Sequence, residues 1–279
     1  MLFRSRVPAL IVDPLSGRPG TIAQLTTGDP NDPLESQTSD TYNLGATWQS
    51  SDLGLTLSVD YWRFEYANFI TPENPAALVN ANGADGSFAD QVLRDSSTGE
   101  LLAVTTFYRN AGTLETDGLD VSLAKDWDAG RFGGFTATLN MSRVFTYELA
   151  DPIIGVVDGL GSRNFTNFGV PTPKTRGNIG LNWVGPDGNH AANVFVRHIG
   201  GYDDDNTPGD RVEDLTTLDV QYSVRTPGFA GLEEGPTLTL GARNILDELP
   251  PGVVSRSGYD SLTHSPLGRQ VYLTVRHRF

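Results

Sequence analysis

The sequence predicts an all-β chain, an antiparallel up-and-down meander of transmembrane barrel strands, on three observations. Apolar and polar residues alternate with a period of two over stretches of about ten residues. The connections between those stretches alternate between short and long. No segment approaches the run of roughly 20 apolar residues that a membrane helix needs, so a membrane can be crossed only by strands.

Taken in order, the alternating stretches place about nine strands. They lie near Tyr42 to Gln49, Leu53 to Tyr66, Val104 to Lys125, Phe132 to Phe145, Lys174 to Val184, Ala191 to His198, Leu215 to Arg225, Thr237 to Asn244 and Gly268 to Phe279. In the second, Leu55, Leu57, Val59 and Tyr61 alternate with Thr56, Ser58, Asp60 and Trp62. In the fifth, Ile179, Leu181 and Trp183 oppose Asn178, Gly180 and Asn182. The seventh sets Leu218, Val220, Tyr222 and Val224 against Asp219, Gln221 and Ser223, and the last sets Val271, Leu273 and Val275 against Tyr272, Thr274, Arg276 and Arg278.

The links at 50–52, 126–131 and 185–190 are short and that at 226–236 is fairly short; those at 67–103, 146–173, 199–214 and 245–267 are long. In an antiparallel meander successive links lie at opposite ends, so this alternation sorts all tight turns to one end and all long loops to the other. A β-sandwich has no reason for such sorting, and its core would require buried partners for the Asp, Asn, Gln, Thr and Arg side chains of the polar face. Trp48, Tyr66, Trp127, Phe145, Trp183 and Tyr202, near strand ends, are candidates for interfacial aromatic girdles.

Composition narrows the function. A formal net charge of −14, with 20 scattered Lys and Arg, argues against a nucleic-acid partner. Absence of Cys rules out a disulfide framework or a thiolate metal site. The apolar patch Ala9 to Val12 after Arg4 and Arg6 is too short for a secretory signal. His190, His198, His264 and His277 belong to no metal-ligand motif, and no nucleophile elbow or phosphate-binding glycine loop is present, so no catalytic residue and no cofactor is expected. Asp203, Asp205 and Asp210, in an acidic outer-loop cluster, are the weak candidates for a cation site. Thr207 and Pro208 do not supply the spacing or the glycine of a calcium loop, and a solvated loop is the simpler reading.

Six short patterns then occur in a familiar order. NDPLESQTSDTYNLG carries Asn31, Leu34, Thr38, Ser39, Tyr42 and Gly45, with Asp32, Ser36 and Gln37 standing where Pro, Pro and Glu are usual. VDYWRFEYANFI follows as a strand climbing into an outer loop; RNAGTLETDGLDVSL supplies Asn110, Ala111, Gly112, Gly118, Leu119 and Asp120; PTPKTRGNIGLNW supplies Pro173, Lys174, Asn178 and Trp183. GARNILDELPP carries Asn244 and Asp247, and PLGRQVYLTVRHRF carries Gly268, Arg269 and the terminal Phe279. The chain from about Asn31 onward resembles the C-terminal part of the TonB-dependent outer-membrane receptors.

That resemblance implies the last nine or ten strands of a roughly 22-stranded barrel, with short periplasmic turns and long extracellular loops. It divides the chain into 1–38, a partial strand and extracellular loop, and 39–279, the C-terminal barrel strands, with the plug domain absent. Implied partners are outer-membrane lipid, the barrel assembly machinery reading a signal at Tyr272 and Phe279, TonB acting through the plug, and an extracellular nutrient such as a siderophore, cobalamin or a glycan. The nutrient would meet the loops 67–103 and 146–173 first. Two alternatives stand beside this reading: a small self-closing barrel acting as a passive porin or adhesin, and a secreted β-sandwich binding module.

Overall fold

The computed structural model describes residues 5–17, 19–29, 33–151, 155–228, 234–255 and 257–277. They form two compact units, one of Met1–Tyr42, Arg63–Thr116 and Thr146–Thr172, the other of Asn43–Trp62, Asp117–Phe145 and Pro173–Phe279.

In chain order the elements are β1 (Ser5–Val12), β2 (Pro19–Gly28), β3 (Thr38–Ser50), β4 (Leu55–Pro72), α1 (Pro75–Asp85), β5 (Val92–Arg94), β6 (Leu101–Asp128) and β7 (Gly134–Asp151). After these come β8 (Gly155–Asp158), β9 (Thr175–Val184), β10 (His190–Ile199), β11 (Tyr202–Asp203), β12 (Arg211–Val212), β13 (Leu215–Pro227), β14 (Glu234–Arg243) and β15 (Gln270–Arg276). The nine strands expected from alternation are β3, β4, β6, β7, β9, β10, β13, β14 and β15. Several run further than the alternation alone marks, and β6 reaches 28 residues.

In the second unit β7, β9, β10, β13, β14 and β15 follow one another as a continuous antiparallel meander. Tight turns link β3 to β4, β6 to β7 and β9 to β10: Gly54 N–H closes on the Ser51 carbonyl at 3.1 Å, a single 3-10 turn spans Gly130–Phe132, and Gly188 N–H reaches the Gly185 carbonyl at 2.9 Å. Among the described residues the sheet does not close: β15 pairs only with β14, and β3 only with β4.

The first unit has a small core of its own. Ile11, Leu78, Val79, Val92 and Val104 are buried together, drawing β1, α1, β5 and β6 onto one centre. The sequence reading gave no helix in 67–103, yet α1 forms there. Asn74 caps it, its Oδ1 accepting the Ala76 and Ala77 N–H groups at 2.9 and 3.2 Å. Pro75 opens the first turn, and Gly86 ends the helix in the left-handed region at φ 80°. Only Leu78 and Val79 are buried on it, so its apolar periodicity is too faint to stand out. The hairpin β1–β2 closes through Asp13, and β2 then runs parallel to β6 from Ala23 opposite Ala103 to Gly28 opposite Tyr108.

Candidate functional site

Cross-strand register turns the alternation into surfaces. Ala137, Leu181, Val194, Val220, Ala242 and Val271 are successive partners across six strands, and Phe135, Trp183, Ala192, Tyr222, Leu240 and Leu273 form the next such row. These rows are apolar throughout. Leu240, Val271 and Leu273 are 59%, 68% and 69% exposed, which would be a large wetted apolar face in water.

The opposite face is polar in the same register. Thr136, Asn182, Asn193, Gln221, Gly241 and Tyr272 are partners in one row. Its side chains are tied across strands: Asn140 Nδ2 donates to Asn178 at 3.1 Å, Ser122 Oγ to Asn140 at 2.9 Å, and Tyr272 O–H to Gln221 at 2.9 Å. Arg197 pairs with Asp219 at 2.7 Å while its guanidinium lies 4.9 Å over the Phe195 ring. Towards β15 this face holds a concavity of about 400 Å³ lined by Gln221, Ser223, Arg225, Thr239, Thr274 and Arg276 among others. Its donors and acceptors stand in fixed rows and can hydrogen-bond water or a polar ligand.

The motif residues act as fasteners at the strand ends. Asn244, at φ 48°, takes the left-handed conformation that Asn tolerates best after glycine. Its amide exchanges hydrogen bonds with the Glu248 backbone, and its N–H donates to Asp219 at 2.9 Å. Asp247 accepts the Arg269 N–H at 2.7 Å, fixing the start of the last strand. In the first unit Asn110 holds the 33–37 segment, accepting the Glu35 N–H at 2.7 Å and donating to the Glu35 and Asn68 carbonyls. Gln37, where the familiar pattern has Glu, still serves as an acceptor, for Ile70 N–H at 3.1 Å. Gly118 leaves room for the Trp62 ring and the Arg143 carbonyl, where any Cβ would collide.

In the first unit the described residues of the two loops expected to meet a ligand first, within 67–103 and 146–172, touch one another. Phe64, Tyr66, Phe69 and Phe168 form a run of rings with centroids 5.6 to 6.2 Å apart, and Asn74 Nδ2 donates to the Phe165 carbonyl at 3.2 Å. Asn164, buried at φ 54°, is the hub of the second loop, donating to the Gly159 and Val170 carbonyls and accepting from Asn167. Sequence alone marks Asn164 only as the start of a glycosylation-like triplet.

Other candidates fall differently. Trp127 stacks on Phe135 at 5.2 Å and Trp183 Nε1 donates to the Phe132 carbonyl at 2.6 Å, both beside tight turns. Trp48, 51% exposed, stands near the 51–54 turn, and Phe145 is also exposed. Tyr66 is part of the ring run. Tyr202 differs from expectation: it is 1% exposed and its hydroxyl donates to Asp260 at 2.6 Å, so it packs two loops together rather than facing outward. Asp203 pairs with Arg211 at 3.2 Å, and the Asp210 carbonyl accepts the Asp204 N–H. The described residues contain no group of three donors, from Asp203, Asp205, Asp210 or elsewhere, that could hold a metal ion. The Tyr272 ring lies across Gly241, whereas Phe279 lies outside the described residues.

Known proteins resemble this architecture. No curated protein sequence matches the chain. Among solved structures, a ferric enterobactin receptor from Pseudomonas aeruginosa superposes with a TM-score of 0.55 at 15% identity, over 92% of this chain and 33% of that one. The FrpB iron transporter from Neisseria meningitidis gives 0.55 at 12% identity, over 90% and 32%. The siderophore receptor PirA from Acinetobacter baumannii gives 0.54 at 14% identity, over 98% and 35%. The chain thus spans about a third of the length of these receptors. The family model described as TonB dependent receptor-like, beta-barrel, matches residues 12–245, and the chain belongs to that family.

Proposed function

We propose that this chain is the C-terminal barrel portion of an outer-membrane receptor that imports a large, scarce nutrient, a siderophore, cobalamin or a glycan, with energy delivered by TonB through an N-terminal plug. The observation that carries this is the pair of surfaces on the second unit: continuous apolar rows on one face and hydrogen-bonded polar rows on the other. Apolar rows suit lipid, and polar rows suit a wet lumen through which a polar ligand passes.

The open sheet bears on the rest of the reading. Among the described residues β3 and β15 each leave one edge of backbone unpaired, which is costly in hydrocarbon, so further strands of the receptor would pair there and close the barrel around the plug. Tyr272 and Phe279 would be read by the assembly machinery on the last strand. The receptor carrying this chain is expected to sediment with outer membrane and to require detergent for release. Recovery as a soluble monomer without detergent would contradict the proposal, and ion conductance by this chain alone in a planar bilayer would favour a self-closing porin instead.

A further inference from the structure

His264 sits in the long loop between β14 and β15 and is 6% exposed. Among the described residues neither of its ring nitrogens has a hydrogen-bond partner, although both are buried. The ring stacks on Tyr202, in β11 of the preceding long loop, with planes 8° apart and centroids at 6.0 Å. Tyr202, Val212, Asp204, Asp260 and His264 are all buried, so the two loops share a small core inside the second unit.

We propose that His264 is a proton-operated latch that clasps these two loops together at neutral pH and releases them on acidification. This goes beyond the transport reading and rests on it only for the membrane setting of the test. Three groups bear on the imidazole: Tyr202 from β11, Asp260 on its own loop, and Arg176 on β9. A neutral ring fits against the Tyr202 face. A protonated ring would bring two buried N–H donors, and among the described residues no acceptor, the Asp260 carboxylate included, stands within hydrogen-bond reach of either nitrogen. One Asp260 oxygen accepts the Tyr202 hydroxyl at 2.6 Å and the other the Leu262 N–H at 3.2 Å. An imidazolium is therefore better served by water than by the clasp.

Burial pushes the His264 imidazole below its ordinary value; Asp260 opposes that and Arg176 adds to it. The open state titrates near the ordinary imidazole value of about 6.5 and binds the proton more readily than the clasped state. Stability of the clasp is then complete above about pH 6.5 and declines as pH falls towards the depressed value of the clasped form.

The test is hydrogen exchange of the full chain in native membrane vesicles at about pH 7.5 and about pH 5, scaled for intrinsic exchange. Protection across 202–212 and 258–266 should fall by about threefold or more in the wild type. In His264→Phe, which keeps the stacked ring without a titrating nitrogen, the change should stay within about twofold. Equal protection of the wild type at both pH values, or no protection at about pH 7.5, would overturn the latch. Should His264→Phe lose the clasp at both pH values, the ring titration of wild-type His264 by NMR decides: a midpoint below about 6.5 supports the latch, and one at or above it overturns it.

Discussion

Replacing Arg94 with alanine is expected to unravel the outer-loop core of the first unit at a cost of about 3–5 kcal/mol, the range for stripping one partner from a buried ion pair. Arg94 grips Asp13 with both terminal nitrogens, at 2.9 and 3.1 Å, while Nε donates to Asn82 at 3.0 Å and Nη1 to the Gly99 carbonyl at 3.2 Å. One side chain thereby ties the β1–β2 turn, the end of α1, β5 and the 95–100 turn. Its side chain is 16% exposed and that of Asp13 8%, so the orphaned carboxylate would stay largely out of water. Loss of hydrogen-exchange protection confined to 5–17 and 75–104 is the expected readout; unchanged protection there would refute it.

The same contact has an acid limit. The hydrogen bond from Arg94 holds the Asp13 carboxyl below its ordinary value, against the opposite pull of burial, with further help from Leu15 N–H and Ser16. The unfolded segment takes up this proton more readily than the folded one. The contribution is therefore complete above about pH 4 and is lost as pH falls through the folded value; Asp13→Asn should abolish that dependence.

Val194→Arg and Asn193→Arg, neighbours on β10, are expected to separate sharply. Val194 lies in an apolar row between Leu181 and Val220, whereas Asn193 lies between Asn182 and Gln221 on the polar face. On a lipid-facing surface near mid-membrane the first change costs about 2–4 kcal/mol, and the second, on a wet face, stays within about 0.5 kcal/mol. Denaturant refolding into lipid vesicles, or the steady-state level in outer membrane, reads the difference. Equal effects would mean that the two faces meet the same solvent.

What could be read in advance follows the range of the forces involved. Strand identity is local: Val271, Leu273 and Val275 against Tyr272 and Thr274 declare their faces within a few residues, and the register preserves that division across six strands. The fasteners Asn110, Asn244 and Asp247 were visible through resemblance, and the structure supplies their reason as side chains closing backbone groups between strand ends. The loop cores were not visible. The grip of Arg94 on Asp13 spans 81 positions, and α1 is held by Ile11 and Val104, which no window around Leu78 includes. Tyr202 follows a strand in the sequence, the position of an interfacial aromatic, whereas its partner Asp260 lies 58 residues away. The acidic run around Asp203 likewise resolves through a contact with Arg211 and backbone groups of its own hairpin.

Lipid on one face of the second unit and water on the other would leave a direct chemical signature. Since the chain has no Cys, single cysteines can be placed along β14 and β15 and challenged in intact outer membrane with a water-soluble maleimide. Labelling is expected at Thr239 and Thr274 and protection at Leu240, Leu273 and Val275, an alternation that follows the strand period. Uniform labelling of all five positions would contradict it.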